Sequence, residues 1–160
     1  RTGSSLKIVY ASMSNPAWAE RVISPHSLVY TGFRWHIRAY CHKRNEFRDF
    51  LLSRIDRVPK YSESPAPPSS EDTLWQESVT INLVANLKLS EVQRSLVEVD
   101  YGMPEGRLQI VVRKALAHYP IQRYQAAITP EEAQDELRYP LMLLPDDRKK
   151  IGPYLFGADV

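Results

Sequence analysis

Residues 33–42 read Phe-Arg-Trp-His-Ile-Arg-Ala-Tyr-Cys-His and change character at every step. Phe33, Trp35, Ile37, Ala39 and Cys41 fall on one side of a period of two. Arg34, His36, Arg38, Tyr40 and His42 fall on the other. Successive side chains of an extended chain point to opposite faces. The pattern therefore predicts a half-buried strand, with Trp35 and Ile37 in the core and a basic, aromatic face open to water or a ligand.

The neighbouring stretches share the β character. Residues 6–12 (LKIVYAS) form a β-rich run, residues 20–24 a second that Pro25 stops, and residues 26–30 a third before a turn at Thr31-Gly32. Residues 48–55 form a fifth, mixed run. Five short strands in so little chain predict a small closed barrel of the SH3 or Sm kind. Residues 59–72 (PKYSESPAPPSSED) hold four prolines and four serines. Such a stretch is expected to be an extended, solvated linker. It divides a β-barrel domain at 1–58 from a second domain at 73–160.

The second domain reads as α+β. Residues 75–84 (WQESVTINLV) alternate weakly, as a strand does. Ser90 and Gln93 have the spacing of a capping box and should start a helix that runs to about Tyr101 and ends at Gly102. A second helix is expected over about residues 111–124, kinked or shortened by Pro120. Thr129-Pro130-Glu131-Glu132 signals a third helix that must stop before Pro140. Residues 141–160 give no decisive pattern.

Apolar residues make up 43% and charged residues 25% of the 160, the proportions of a globular protein. Two domains of this size are each marginal and would gain from oligomerisation. No apolar run approaches the ~20 residues that span a bilayer, and no signal peptide is evident. The chain opens Arg1-Thr2-Gly3 without Met, so a preceding segment is expected. Cys41 is the sole cysteine, which excludes an internal disulfide and fits the cytoplasm. The net charge of +2 conceals an asymmetry: residues 1–60 hold 11 Lys+Arg against 4 Asp+Glu, and residues 61–160 hold 10 against 15. The first part should attract anions, and the second should avoid nucleic acid.

Several motifs in the basic part agree in order and spacing with one family. Tyr10 and Ser12 end the first strand as Tyr-x-Ser, and Arg21, Ile23 and Pro25 form Arg-x-Ile-x-Pro. Trp35-His36-Ile37 occupies the place of a Trp-Tyr-Leu triplet, and Arg48, Phe50, Arg54 and Ile55 complete an Arg-x-Phe…Arg-Ile ending. Residues 5–58 thereby resemble the WYL domain, closest to WYL regulators found beside phage-defence operons, although the triplet departs at His36 and Ile37. The resemblance implies an Sm-like barrel between an N-terminal winged helix-turn-helix, absent here, and a C-terminal extension that helps dimerise, which residues 73–160 resemble. It also implies transcriptional repression or activation in response to a nucleotide or nucleic-acid ligand, with operator DNA bound through the absent N-terminal domain.

The polar face of residues 33–42 offers Arg34, His36, Arg38 and Tyr40 as ligand contacts. Tyr10 and Ser12 on the first strand, and Arg48 and Phe50 on the fifth, would complete a groove if these faces converge. Arginine forks grip phosphate, hydroxyls donate, and rings stack on bases, so the groove suits a nucleotide or single-stranded DNA or RNA. The plainer reading is that strand arginines are merely solvated. Arg54 fits the groove or a structural pair with Asp49, Asp56 or a carbonyl, and His26 fits a ligand contact or a structural role. A metal site is not expected, since His36 and Cys41 point to opposite faces. No cofactor and no catalysis are expected, because Ser12, His26 and Asp49 or Asp56 come without a nucleophile elbow. The expectation is a homodimeric sensor with no membrane partner; the alternative is a scaffold that only positions other domains.

Overall fold

The computed structural model describes residues 4–56 and 60–156. The chain divides into two compact units, Arg1–Asp72 and Thr73–Val160. In the first, β1 (Ser5–Tyr10), β2 (Ala19–Tyr30), β3 (Trp35–Cys41), β4 (Glu46–Leu51) and β5 (Lys60–Ser62) form one antiparallel sheet in the order β4-β3-β2-β1-β5. Among the described residues no ladder joins β4 to β5, and the closed barrel expected from the sequence is not shown. An isolated bridge from Tyr10 to Ile55 draws the chain after β4 back to β1.

The two runs expected on either side of Pro25 are one strand. Pro25 faces Ala39 and Ser27 faces Arg38, so the register shifts and His26 is the extra residue of a β-bulge. A bulge is where a sheet tolerates a residue with no N–H, so proline redirects this strand without ending it.

The apolar cluster of the unit is small: Ile8, Tyr10, Ile23, Ala39, Cys41 and Phe50. Trp35, expected in the core, is 48% exposed and packs on Tyr30 at 5.2 Å between ring centroids. It is the first residue of β3, at the end of the strand away from Ala39 and Cys41. The supposedly open face is covered instead, with His36 7% and Arg38 5% exposed. Residues 60–72 cover Arg38. They add β5 to the sheet and seat Asp72, 2% exposed, against Arg38, so the stretch is not wholly solvated. Pro59, its first residue, lies outside the described residues.

The second unit is built on β6 (Ser78–Ala85), flanked antiparallel by β7 (Leu108–Arg113) and β8 (Leu141–Leu143). Val79, Ile81, Leu83 and Ala85 alternate inward and join Leu141, Leu143, Ile121 and Ile151 in burial. Four helices are described: α1 (Thr73–Gln76), α2 (Glu91–Asp100), α3 (His118–Arg123) and α4 (Arg148–Ile151). The capping box opens α2, with Gln93 N–H donating to Ser90 Oγ at 3.3 Å and Ser90 N–H to Gln93 Oε1 at 2.9 Å. Gly102, at φ 57°, follows its end, where the left-handed region favours glycine.

Three expectations fail here. Residues 111–113 are strand, because Val111 and Val112 pair with Thr80 and Val79. A 3-10 turn follows at Lys114–Leu116 and α-helix starts only at α3, where Pro120 sits in the first turn and its missing N–H costs nothing. The Thr129 signal does cap, since Thr129 Oγ1 accepts from Glu132 N–H at 3.2 Å, but the chain makes a single 3-10 turn at Glu132–Gln134. Trp75, read as strand, lies in α1 with the Arg113 guanidinium 4.6 Å above its ring.

Candidate functional site

Arg38 is the centre of the polar face of the first sheet. Its Nε donates to Asp72 Oδ2 at 2.7 Å and its Nη2 to Asp72 Oδ1 at 2.8 Å, a two-pronged grip. Its Nη1 donates to Asp49 Oδ1 at 3.2 Å across the β3–β4 register. Burial alone would lower the guanidinium's pKa, but the hydrogen bonds and charges of Asp72 and Asp49 outweigh it and hold the pKa above the ordinary arginine value. The bulge aims His26 at the same carboxylate, with Nε2 3.1 Å from Asp72 Oδ2 and Nδ1 2.9 Å from Ser27 Oγ. The edge of Phe47 packs on the His26 ring at 5.6 Å, and Tyr40 packs on Phe47 at 5.3 Å.

Beside this cluster a cleft of about 1110 Å³ opens. Ser24, Pro25, His26, Ser27, Leu28 and Ile37 line its sheet side, and Tyr61, Ala66, Pro67, Pro68 and Ser69 line the side of the Pro/Ser-rich segment. A hydroxyl relay runs nearby: Ser24 Oγ lies 2.8 Å from His42 Nε2 and 2.7 Å from Ser5 Oγ, which in turn donates to Ser64 O at 2.5 Å. Burial holds the His42 pKa below the ordinary histidine value. Burial also lowers that of His36; Asp49 opposes the shift, and Arg34 and Arg54 add to it.

The ten expected ligand residues do not share one groove. Across β3 and β4, Arg48 faces Ala39 and Phe50 faces Ile37, whereas Arg38 faces Asp49. Arg48 and Phe50 therefore lie on the sheet face opposite Arg38. Arg48 is exposed and pairs with Glu46 at 3.1 Å. Tyr10 and Phe50 meet edge to face at 5.2 Å inside the core, and the Tyr10 hydroxyl accepts from Leu51 N–H at 3.1 Å. Ser12 holds a turn, accepting from Asn15 N–H at 3.1 Å. Arg34 is exposed and Arg54 half-buried, and both act on His36. The structure thus brings together His26, Arg38 and Tyr40, and separately His36 with Arg34 and Arg54. The sequence does not point to the carboxylates on Arg38; it offers Asp49 as a partner for Arg54 or as the acid of a Ser-His-Asp set. Asp49 falls in the mixed run at residues 48–55, but nothing local marks Asp72 as a partner 34 residues from Arg38.

A sheet with this buried cation cluster, joined to a unit with a β7-β6-β8 core, is matched by two family models. Residues 1–59 match the WYL domain, and residues 78–151 match the family described as BrxR transcriptional regulator, C-terminal dimerization domain. The chain therefore carries a WYL domain followed by a BrxR-type C-terminal dimerisation domain. It is similar to proteins named DNA-binding transcriptional repressor CapW. That of Escherichia coli (strain KTE188) is 43% identical over 123 residues, covering 74% of this chain and 40% of that protein. Those of Pseudomonas aeruginosa and Stenotrophomonas maltophilia are 41% identical over 114 residues and 40% over 119, covering 71% and 74% of this chain and 38% and 40% of their own. The chain thus spans about two fifths of the length of the relatives it matches. A solved chain of proteasome accessory factor B/C of Arthrobacter aurescens aligns over 98% of this chain and 24% of its own, at 19% identity and a TM-score of 0.38.

Proposed function

We propose that this chain is the regulatory and dimerising region of a DNA-binding transcriptional repressor, not an enzyme, and that its first unit senses a nucleotide or a short single-stranded nucleic acid. Operator DNA is bound in this reading by a winged helix-turn-helix outside residues 1–160. The names of the relatives and the dimerisation family support the regulator. The observation that carries the sensor is the convergence of the buried Arg38 fork and His26 on one carboxylate, with His26 also lining a serine- and proline-rich cleft. Guanidinium, imidazole and hydroxyl donors suit phosphate, and Phe47 and Tyr40 supply rings beside them. In the same reading the five-stranded sheet corresponds to the Sm-like barrel of the family, and the Tyr10–Ile55 bridge that returns the chain to β1 supports this.

The dimer contact is assigned to α2. Val92, Leu96 and Val99 follow at spacings of four and three, so they form one stripe, and they are 71, 60 and 78% exposed. A second copy of the chain is the occupant, as the name of the matched family states for its members. No helix among the described residues is long and apolar enough to cross a membrane.

The test is fluorescence anisotropy with a 3′-labelled, 5′-phosphorylated oligothymidylate. About two phosphate contacts predict a roughly sevenfold loss of affinity from 50 to 200 mM salt. A second reading, a scaffold without a ligand, is favoured by the two carboxylates that already neutralise Arg38. Absence of binding at 50 mM salt would select it.

A further inference from the structure

We infer that Asp72 is a built-in ligand mimic: its carboxylate occupies the phosphate position on Arg38 and His26, and an incoming phosphate displaces it and so releases the segment that leads into the second unit. This inference rests on the sensor reading above and adds how the site is regulated.

Four observations carry it. Both oxygens of Asp72 sit on the Nε and Nη2 of one guanidinium, at 2.7 and 2.8 Å. Two oxygens of a phosphate take that same fork. One of those oxygens also lies 3.1 Å from His26 Nε2, so donors from two strands converge on a single acceptor. The sheet uses a bulge at Pro25–Ser27 to aim that histidine, the kind of irregularity that re-aims a side chain. Finally, the wall of the adjoining cleft formed by Ala66, Pro67, Pro68 and Ser69 belongs to the same stretch of chain that ends at Asp72.

The segment is built to let go. Among the described residues, β5 pairs with β1, Ser64 O accepts from Ser5 Oγ, and Asp72 holds the far end. Pro65, Pro67 and Pro68 between these anchors have no N–H to bond to the sheet. Asp72 immediately precedes Thr73, where the second unit begins. The chain entering that unit is therefore tied to β3 while Asp72 is seated and free of it once phosphate takes its place. A tethered carboxylate competes at a millimolar effective concentration or more, which lowers the apparent affinity of any phosphate ligand. Only a ligand that binds the open form better than the closed one shifts the balance.

The experiment compares the unmutated chain with Asp72→Asn, using inorganic phosphate and 5′-phosphorylated dithymidylate as probes. Calorimetry should show dithymidylate binding at least tenfold tighter to Asp72→Asn. In the unmutated chain, hydrogen exchange at residues 61–72 should speed up on binding. That second measurement holds even if the variant is poorly folded. Equal affinity together with unchanged exchange at 61–72 overturns the mimic and leaves the sensor intact. Absence of binding to either form overturns both.

Discussion

Replacing Arg38 with Met removes the cation shared by two carboxylates while keeping much of the side chain's volume. Asp72 and Asp49 have side chains only 2% and 11% exposed. Removing one partner of a buried pair costs about 3–5 kcal/mol, because the remaining charge stays out of water. Protonation sets a ceiling for each carboxylate, since neutralising one ordinary carboxyl at pH 7 costs about 4 kcal/mol. The expected loss is thus at least about 3 kcal/mol. A small domain holds roughly 5 kcal/mol in total, and about 4–8 °C of Tm goes with each kcal/mol at this size. The first unit of Arg38→Met should therefore melt at least ~12 °C lower or be unfolded at 37 °C. Urea denaturation followed by circular dichroism, with hydrogen exchange to separate the two units, reads this directly. The double variant Arg38→Met/Asp72→Leu should recover the part of the loss that Asp72 carries, since an apolar pair replaces that ion pair while Asp49 still lacks the Arg38 cation. A loss below about 1 kcal/mol for the single variant would refute the reasoning, because such a value belongs to a solvated surface pair.

Three further outcomes are expected. Burial holds His36 and His42 below the ordinary histidine pKa, so both favour the fold when neutral. That stability is complete above about pH 6.5 and is lost as pH falls below it, and His42→Gln should flatten the slope of unfolding free energy between pH 7.5 and 5. Asn86 is fully buried, donating from Nδ2 to Ala133 O at 3.1 Å and Tyr139 O at 2.9 Å, so Asn86→Ala should cost the second unit about 1–3 kcal/mol in denaturant melts by orphaning those carbonyls. Leu96→Asp on the exposed stripe of α2 should leave the melt of the second unit unchanged and shift sedimentation from dimer to monomer; a dimer of unaltered affinity would place the contact elsewhere.

The alternation of residues 33–42 correctly reported which side chains share a face of β3, and it made the strand itself legible. It did not report that the polar face would also be covered, at His36 and Arg38. That depends on residues 60–72, whose Pro/Ser composition carries no sign that Asp72 turns inward. Alternation alone also gave no pairing register. Arg48 and Arg38 share one groove only if the faces of their strands converge, and the pairing of Arg48 with Ala39 shows that they diverge. In the second unit the local chemistry of caps was readable at Ser90 and Thr129, because capping depends on neighbours in sequence. How far each helix continues depends on packing, and the Thr129 start stops after one turn. β8 is three residues long, too short for any period to appear, yet all three are buried against β6.

The most direct test is nuclear magnetic resonance of the histidine rings and the Arg38 Nε–H during titration with 5′-phosphorylated oligothymidylate. The account predicts that His26 and Arg38 Nε–H shift together and saturate with the anisotropy. Saturable shifts at Arg34, Arg48 and Arg54 with His26 and Arg38 unmoved would contradict it.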